Sequence, residues 1–120
     1  MNKTVNTTKQ MSQLVNYKKA AFLLLQQDTR MGLLASAIFI QTCIFEGLSN
    51  VELAEMFEVT TTRVSVQVHI LCDVAKSRDS EKGLSLCRQE VDSKDFRIKR
   101  IYLTEKGKKL KAKLFELLGE

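Results

Sequence analysis

Residues 87–110 read CRQEVDSKDFRIKRIYLTEKGKKL. Two segments, 84–91 and 97–103, carry the alternation expected of strands, and the polar run Asp92-Ser-Lys-Asp95 between them supplies the turn chemistry of a hairpin. Ile98, Ile101 and Leu103 are apolar while Arg97, Lys99 and Arg100 are basic. The hairpin can therefore lie on a core and hold cations outward. Thr104, followed three residues later by Gly107, starts a helical run with Glu105 in its first turn, where the helix dipole favours a negative charge.

A basic hairpin that runs directly into a helix is the wing of a winged helix-turn-helix, and the sequence upstream supplies the rest of that unit. In LSNVELAEMFEVT, residues 48–60, Ser49 is a good N-cap with Glu52 three residues on, the spacing of a capping box, and Leu53, Ala54 and Phe57 place apolar groups inward. After a turn at Glu58 and Val59, Thr60 caps a further helix. There Val64, Val68, Leu71 and Ala75 follow the spacing of a buried face, and Thr61, Thr62, Arg63, Ser65 and Gln67 cluster polar groups in the first two turns. Two short helices joined by a tight turn, the second polar at its N-terminal end, form a helix-turn-helix.

Further upstream, Leu14, Tyr17, Ala21 and Leu24 or Leu25 predict an apolar stripe on a first helix that Ser12 caps and that runs to Gln27, preceded by a flexible arm over residues 1–10. Asp28-Thr29 breaks that pattern. The second helix, residues 30–45, is apolar nearly all round, as befits the centre of a small domain, and Glu46-Gly47 closes it. Residues 76–82, KSRDSEK, either extend the second helix of the helix-turn-helix or form a loop. The last helix places Leu110, Leu114, Leu117 and Leu118 on one face and lysines elsewhere. The expected fold class is mainly α (α+β), about five helices plus a two-stranded β-hairpin wing. It forms a single domain over residues 11–120, with the helix-turn-helix at 49–75, the wing at 84–103 and the C-terminal helix at 105–118.

The absence of proline and the presence of only five glycines argue against a loop-rich all-β fold. Lys plus Arg number 19 against 14 Asp plus Glu, and the resulting net charge of +5 favours a polyanionic partner. Cys43, Cys72 and Cys87, with His69 the single histidine, make neither a disulfide framework nor a metal site, so a reducing, cytoplasmic setting is expected. The polar N-terminus lacks the apolar core of a signal peptide. The most hydrophobic run, residues 31–48, is interrupted by Ser36, Gln41, Thr42 and Glu46, and reads as a buried helix, so no membrane partner is expected. No Ser/His/Asp set, carboxylate pair or Gly-rich phosphate loop stands where it would support catalysis, so neither an enzyme nor a cofactor is expected.

The run Asp95-Phe-Arg97, then seven residues from Arg97 to Thr104 in LTEKG, resembles the wing and following helix of the MarR family of bacterial transcriptional regulators. Gly83-Leu84 resembles that family's Gly-Leu ahead of the wing, and LSNVELAEMFEVTTTRVSVQVHIL resembles its helix-turn-helix. The resemblance covers residues 48–110, and it implies a homodimer joined through the first helix and a short last helix, with Asp95 orienting Arg97 in the wing. It also leaves room for a small-molecule effector of unknown identity.

The expected function is binding of double-stranded DNA to regulate transcription, as a repressor on a pseudo-palindromic operator with half-sites about ten base pairs apart. Thr61, Thr62, Arg63, Ser65 and Gln67 are expected to reach base edges or phosphates in the major groove. Lys94 and Arg97 are expected in the minor groove or on phosphates, with Arg88 and Lys99 as weaker wing candidates. Two alternatives stay open: a winged-helix module that docks on a protein, and an accessory DNA-binding protein of replication, phage or plasmid maintenance.

Overall fold

The computed structural model describes residues 2–72 and 83–119, with side chains from residue 8 onward. Its elements are α1 (Asn2–Gln27), α2 (Leu33–Ile44), α3 (Asn50–Phe57), α4 (Thr61–Leu71), β1 (Cys87–Val91), β2 (Lys99–Leu103) and α5 (Glu105–Leu117). The described residues thus form the five helices and two-stranded antiparallel sheet expected of a winged helix-turn-helix.

The apolar sequence of α2 puts it at the centre. Ala35, Ile38 and Phe39 are fully buried, and Thr42, buried beside them, donates its hydroxyl to the Ile38 carbonyl at 2.8 Å, so burial leaves no polar group unmatched. Around it, Leu53 of α3, Val64, Val68 and Leu71 of α4, Leu86, Ile101 of β2, and Leu110 and Leu114 of α5 complete one core cluster.

The first helix differs most from expectation. Residues 2–10, expected as a flexible arm, are helical, because neither proline nor glycine occurs in residues 2–27 to stop α1. Its 26 residues make a rod about 39 Å long, and the molecule is correspondingly drawn out to 58 × 29 × 24 Å. Among the residues of α1 whose side chains are described, only Ala20 and Leu24 are buried, while Leu14 and Tyr17 of the expected stripe are 64% and 68% exposed.

The second helix starts at Leu33, not at residue 30, because Asp28 captures the following backbone. Its carboxylate accepts the Arg30 N–H at 2.8 Å and two guanidinium hydrogen bonds at 3.0 Å, folding a turn. Gly47 does not close α2, which ends at Ile44. Its φ of +98° instead serves a loop that pairs with β2, where its N–H donates to the Ile101 carbonyl at 2.8 Å and Ile101 N–H donates to Leu48 at 3.0 Å.

The strands are shorter than expected. β1 starts at Cys87 because Ser85 adopts a left-handed φ of +58° and the Leu84 and Leu86 N–H groups donate to the last carbonyls of α4, Ile70 and Leu71. β2 starts at Lys99, and the register pairs Cys87 with Leu103 and Val91 with Lys99. Helix α4 ends at Leu71 with Cys72 as its cap, and Ala75 and residues 76–82 lie outside the described residues. Leu118, placed on the inner face of the last helix from sequence, is instead exposed just beyond α5. Among the described residues no helix is long and apolar enough to cross a membrane.

Candidate nucleic-acid interface

The helix-turn-helix is built by its caps. Glu52 N–H donates to Ser49 Oγ at 3.2 Å and Ser49 N–H donates to Glu52 Oε1 at 3.0 Å, a reciprocal capping box. These hydrogen bonds, led by the Ser49 N–H, hold the Glu52 carboxyl below its ordinary range. Glu58 closes α3 in the left-handed conformation at φ 54°, where its N–H turns back to the helix carbonyls and the chain can change direction within three residues. Thr60 Oγ1 then accepts the Arg63 N–H at 3.2 Å and starts α4.

With Val64, Val68 and Leu71 buried, the polar residues of α4 turn outward. Thr61, Thr62, Arg63 and Ser65 are exposed and Gln67 is half-buried. The set mixes hydroxyls, an amide and a fixed cation on the two free turns of one rigid helix, the chemistry that donates to and accepts from base edges. Val66 was not singled out from sequence. It is 53% exposed and sets an apolar group among the polar ones. The signal was available, since Val66 falls off the spacing of Val64, Val68 and Leu71.

At the wing, the connection between the strands runs over residues 92–98. Asp92 Oδ1 accepts the N–H groups of Lys94 at 2.7 Å and Asp95 at 3.1 Å, and Asp95 in turn accepts the Arg97 N–H and two guanidinium hydrogen bonds, each at 3.0 Å. The Arg97 guanidinium holds the Asp95 carboxyl below the usual carboxylate range, and Asp95 raises Arg97. Lys94 and Arg97 remain exposed. Arg88 pairs with Glu90 at 2.9 Å and lies 5.0 Å over the Tyr102 ring, and Lys99 is exposed at the start of β2.

Arg100, which reads from sequence as one more cation of a wet strand face, instead ties the wing to the helix-turn-helix. Its Nε donates to Asp92 Oδ2 at 2.8 Å, and its Nη1 donates to the Gly47 carbonyl at 2.9 Å and to Glu52 Oε1 at 3.0 Å. The first contact holds Asp92 below its ordinary range. One guanidinium therefore joins the turn of the wing, the loop before α3 and the capping box. Because Arg100 lies 53 and 48 residues along the chain from Gly47 and Glu52, local patterning could not reveal it. Arg97 and Lys99 line a groove of about 440 Å³ with Asn50 and Val51 at the start of α3. The structure thus brings part of the wing to α3, and the exposed residues of α4 form a second polar surface on the adjoining helix.

The three thiols play no part in this surface. Burial pushes Cys43 and Cys72 up to about 11 and Cys87 higher still, so all three stay protonated at neutral pH and behave as apolar packing groups.

No protein-family model matches the chain, and no curated protein matches it. Solved structures do. The fold is similar to that of MepR from S. aureus in its complex with DNA, at 20% identity over 98% of this chain and 82% of that one, with a TM-score of 0.66. It is similar to a MarR transcriptional regulator from Methanosarcina mazei at 17% identity over 92% and 74%, with a TM-score of 0.60. The third is the transcriptional regulator SlyA, at 23% identity over 65% and 48% and a TM-score of 0.52, so the chain spans about half of the SlyA chain. The fold is the MarR-like winged helix.

Proposed function

We propose that this protein is a sequence-specific double-stranded DNA-binding regulator of transcription, a repressor that acts as a homodimer on a pseudo-palindromic operator. The observation that carries the reading is the pairing of two exposed, preorganised polar surfaces in one rigid unit. One is α4, with Thr61, Thr62, Arg63, Ser65 and Gln67; the other is a wing whose Arg97 is held by Asp95. A capped helix end supplies base-edge contacts in a major groove, and a positioned arginine reads an adjacent minor groove. The similarity in fold to MepR in its DNA complex supports the same reading.

The dimer rests on the long first helix. Met11, Leu14, Tyr17 and Phe22 of α1 and Phe115 of α5 are largely exposed, and apolar grooves of about 630 and 310 Å³ flank α1. Exposed apolar surface on this scale marks an association site, and a two-fold partner would set two α4 helices in successive major grooves.

The test is selection of bound duplexes from a randomised pool at two salt concentrations, because phosphate contacts make affinity salt-dependent. Enrichment of a two-fold symmetric motif is the expected result. Binding without enrichment that vanishes at the higher salt would leave only a basic surface and favour the protein-docking alternative.

A further inference from the structure

We propose that Phe96, at the tip of the wing, is an apolar wedge that enters the minor groove of bound duplex DNA and partly unstacks a base step. The inference deepens the DNA-binding reading and rests on it. Phe96 is 82% exposed, the most exposed aromatic residue described, and it is absent from the core cluster. A large apolar side chain held in water contributes nothing to the fold, so its burial is available to a complex.

The turn that carries Phe96 is locked on both sides. Asp92 fixes the Lys94 and Asp95 backbone, Asp95 fixes Arg97, and the Ile98 N–H donates to the Asp95 carbonyl at 3.0 Å. The backbone that carries the ring is thus held in place before binding, which lowers the ordering penalty to that of one side chain. Its surroundings select the ligand. Asp92 is paired with Arg100 and Asp95 with Arg97, so no carboxylate of the turn is left uncompensated, and the ring stands beside the exposed cation Lys94 and the exposed guanidinium of Arg97. A protein-docking patch needs contiguous apolar surface, whereas one ring between cations matches a minor groove, with phosphates on its rims and stacked bases beneath.

The test uses the full chain and duplexes that the wild type enriches from the random pool, remade with 2-aminopurine at successive positions. Wild-type protein should raise 2-aminopurine fluorescence at one step beside each of the two half-sites, outside the major-groove contacts. Phe96→Ala should abolish that rise and weaken binding about tenfold or more. It should leave the dependence of affinity on salt unchanged, because no phosphate contact is lost. Phe96→Leu, which keeps an apolar wedge, should restore part of both. Equal affinity of Phe96→Ala and wild type, the absence of any fluorescent step with wild-type protein, or a change in oligomeric state on substitution would each overturn the proposal. A wild type that enriches no duplex would fail the DNA-binding reading itself, before any variant is made.

Discussion

Arg100 on β2 meets three partners from three different segments, whereas α1 leaves Met11, Leu14, Tyr17 and Phe22 between 57 and 68% exposed. The two regions are held by different physics. At the wing, directional hydrogen bonds set angles and distances. Along α1, among the residues described, Ala20 and Leu24 are buried and Leu23 is partly so, while Met11, Leu14, Tyr17 and Phe22 offer non-directional apolar area that a second surface could bury. The proposed DNA face is finished by the chain alone, and the proposed dimer face is finished by a copy.

The largest test of this contrast lies at the junction between the wing and α5. Gly107 is buried, its N–H donates to Thr104 Oγ1 at 3.0 Å, and a Cβ there would lie 2.0 Å from the Leu86 carbonyl oxygen. Gly107→Ala should cost about 3–5 kcal/mol in urea unfolding, because backbone and not a flexible side chain stands in the way. Gly32→Ala, where nothing lies within 4 Å, is the control and should be nearly neutral. A mild Gly107→Ala would mean that the wing is less firmly seated than its hydrogen bonds imply.

On the other side of the comparison, replacing both Leu14 and Tyr17 by Glu should convert the proposed dimer to monomer by sedimentation without lowering monomer stability, since neither side chain is buried in the core. Loss of monomer stability would show that α1 packs against its own chain in a way the exposed surface hides.

Within the proposed DNA face, Arg97→Ala should weaken binding across sequences and lower the salt slope by about one phosphate's worth. Gln67→Ala should cost about 1–3 kcal/mol at a single base position and leave the slope alone. Measured together, the two substitutions separate positioning from readout. Equal effects would merge the wing and α4 into one undifferentiated basic surface.

How much of this was legible in the sequence follows the range of the forces involved. The capping box at Ser49 and Glu52, the cap at Thr60 and the buried face Val64, Val68 and Leu71 act over a few residues, and each could be read from spacing, whereas the Asp95–Arg97 pair, equally local, was implied by the family resemblance alone. The extent of α1 was misread because Ser12 resembles a cap while nothing in residues 2–11 opposes a helix. Which face of α1 is buried depends on where α5 packs, a fact that periodicity does not contain. Arg100 and Glu46, whose carboxylate accepts the Leu103 N–H at 2.7 Å across 57 residues, belong to the same class. Long-range polar partners are invisible to any window along the chain.

The smallest effect contrasts two carboxylate locks, one at the α1–α2 turn and one at the wing. Asp28, hydrogen-bonded by the Arg30 side chain and N–H, is lowered from 3.8 to about 2, and Asp92 is lowered chiefly by Arg100. A carboxylate whose folded pKa is depressed contributes stability that is present above its unfolded value, about 3.9, and is lost as pH falls through the folded value. The wing should therefore keep its geometry from neutral pH down to about 4 and loosen only below that. Carboxyl carbon shifts followed by NMR should give an Asp28 midpoint near 2 and an Asp92 midpoint below 3.8. Arg100→Gln should move the Asp92 midpoint up and leave Asp28 where it is, because only the wing lock reaches across the chain to Arg100. If Asp92 already titrates at the ordinary carboxylate value in the wild type, the Arg100 hub is not formed in solution and the wing is held by its turn alone.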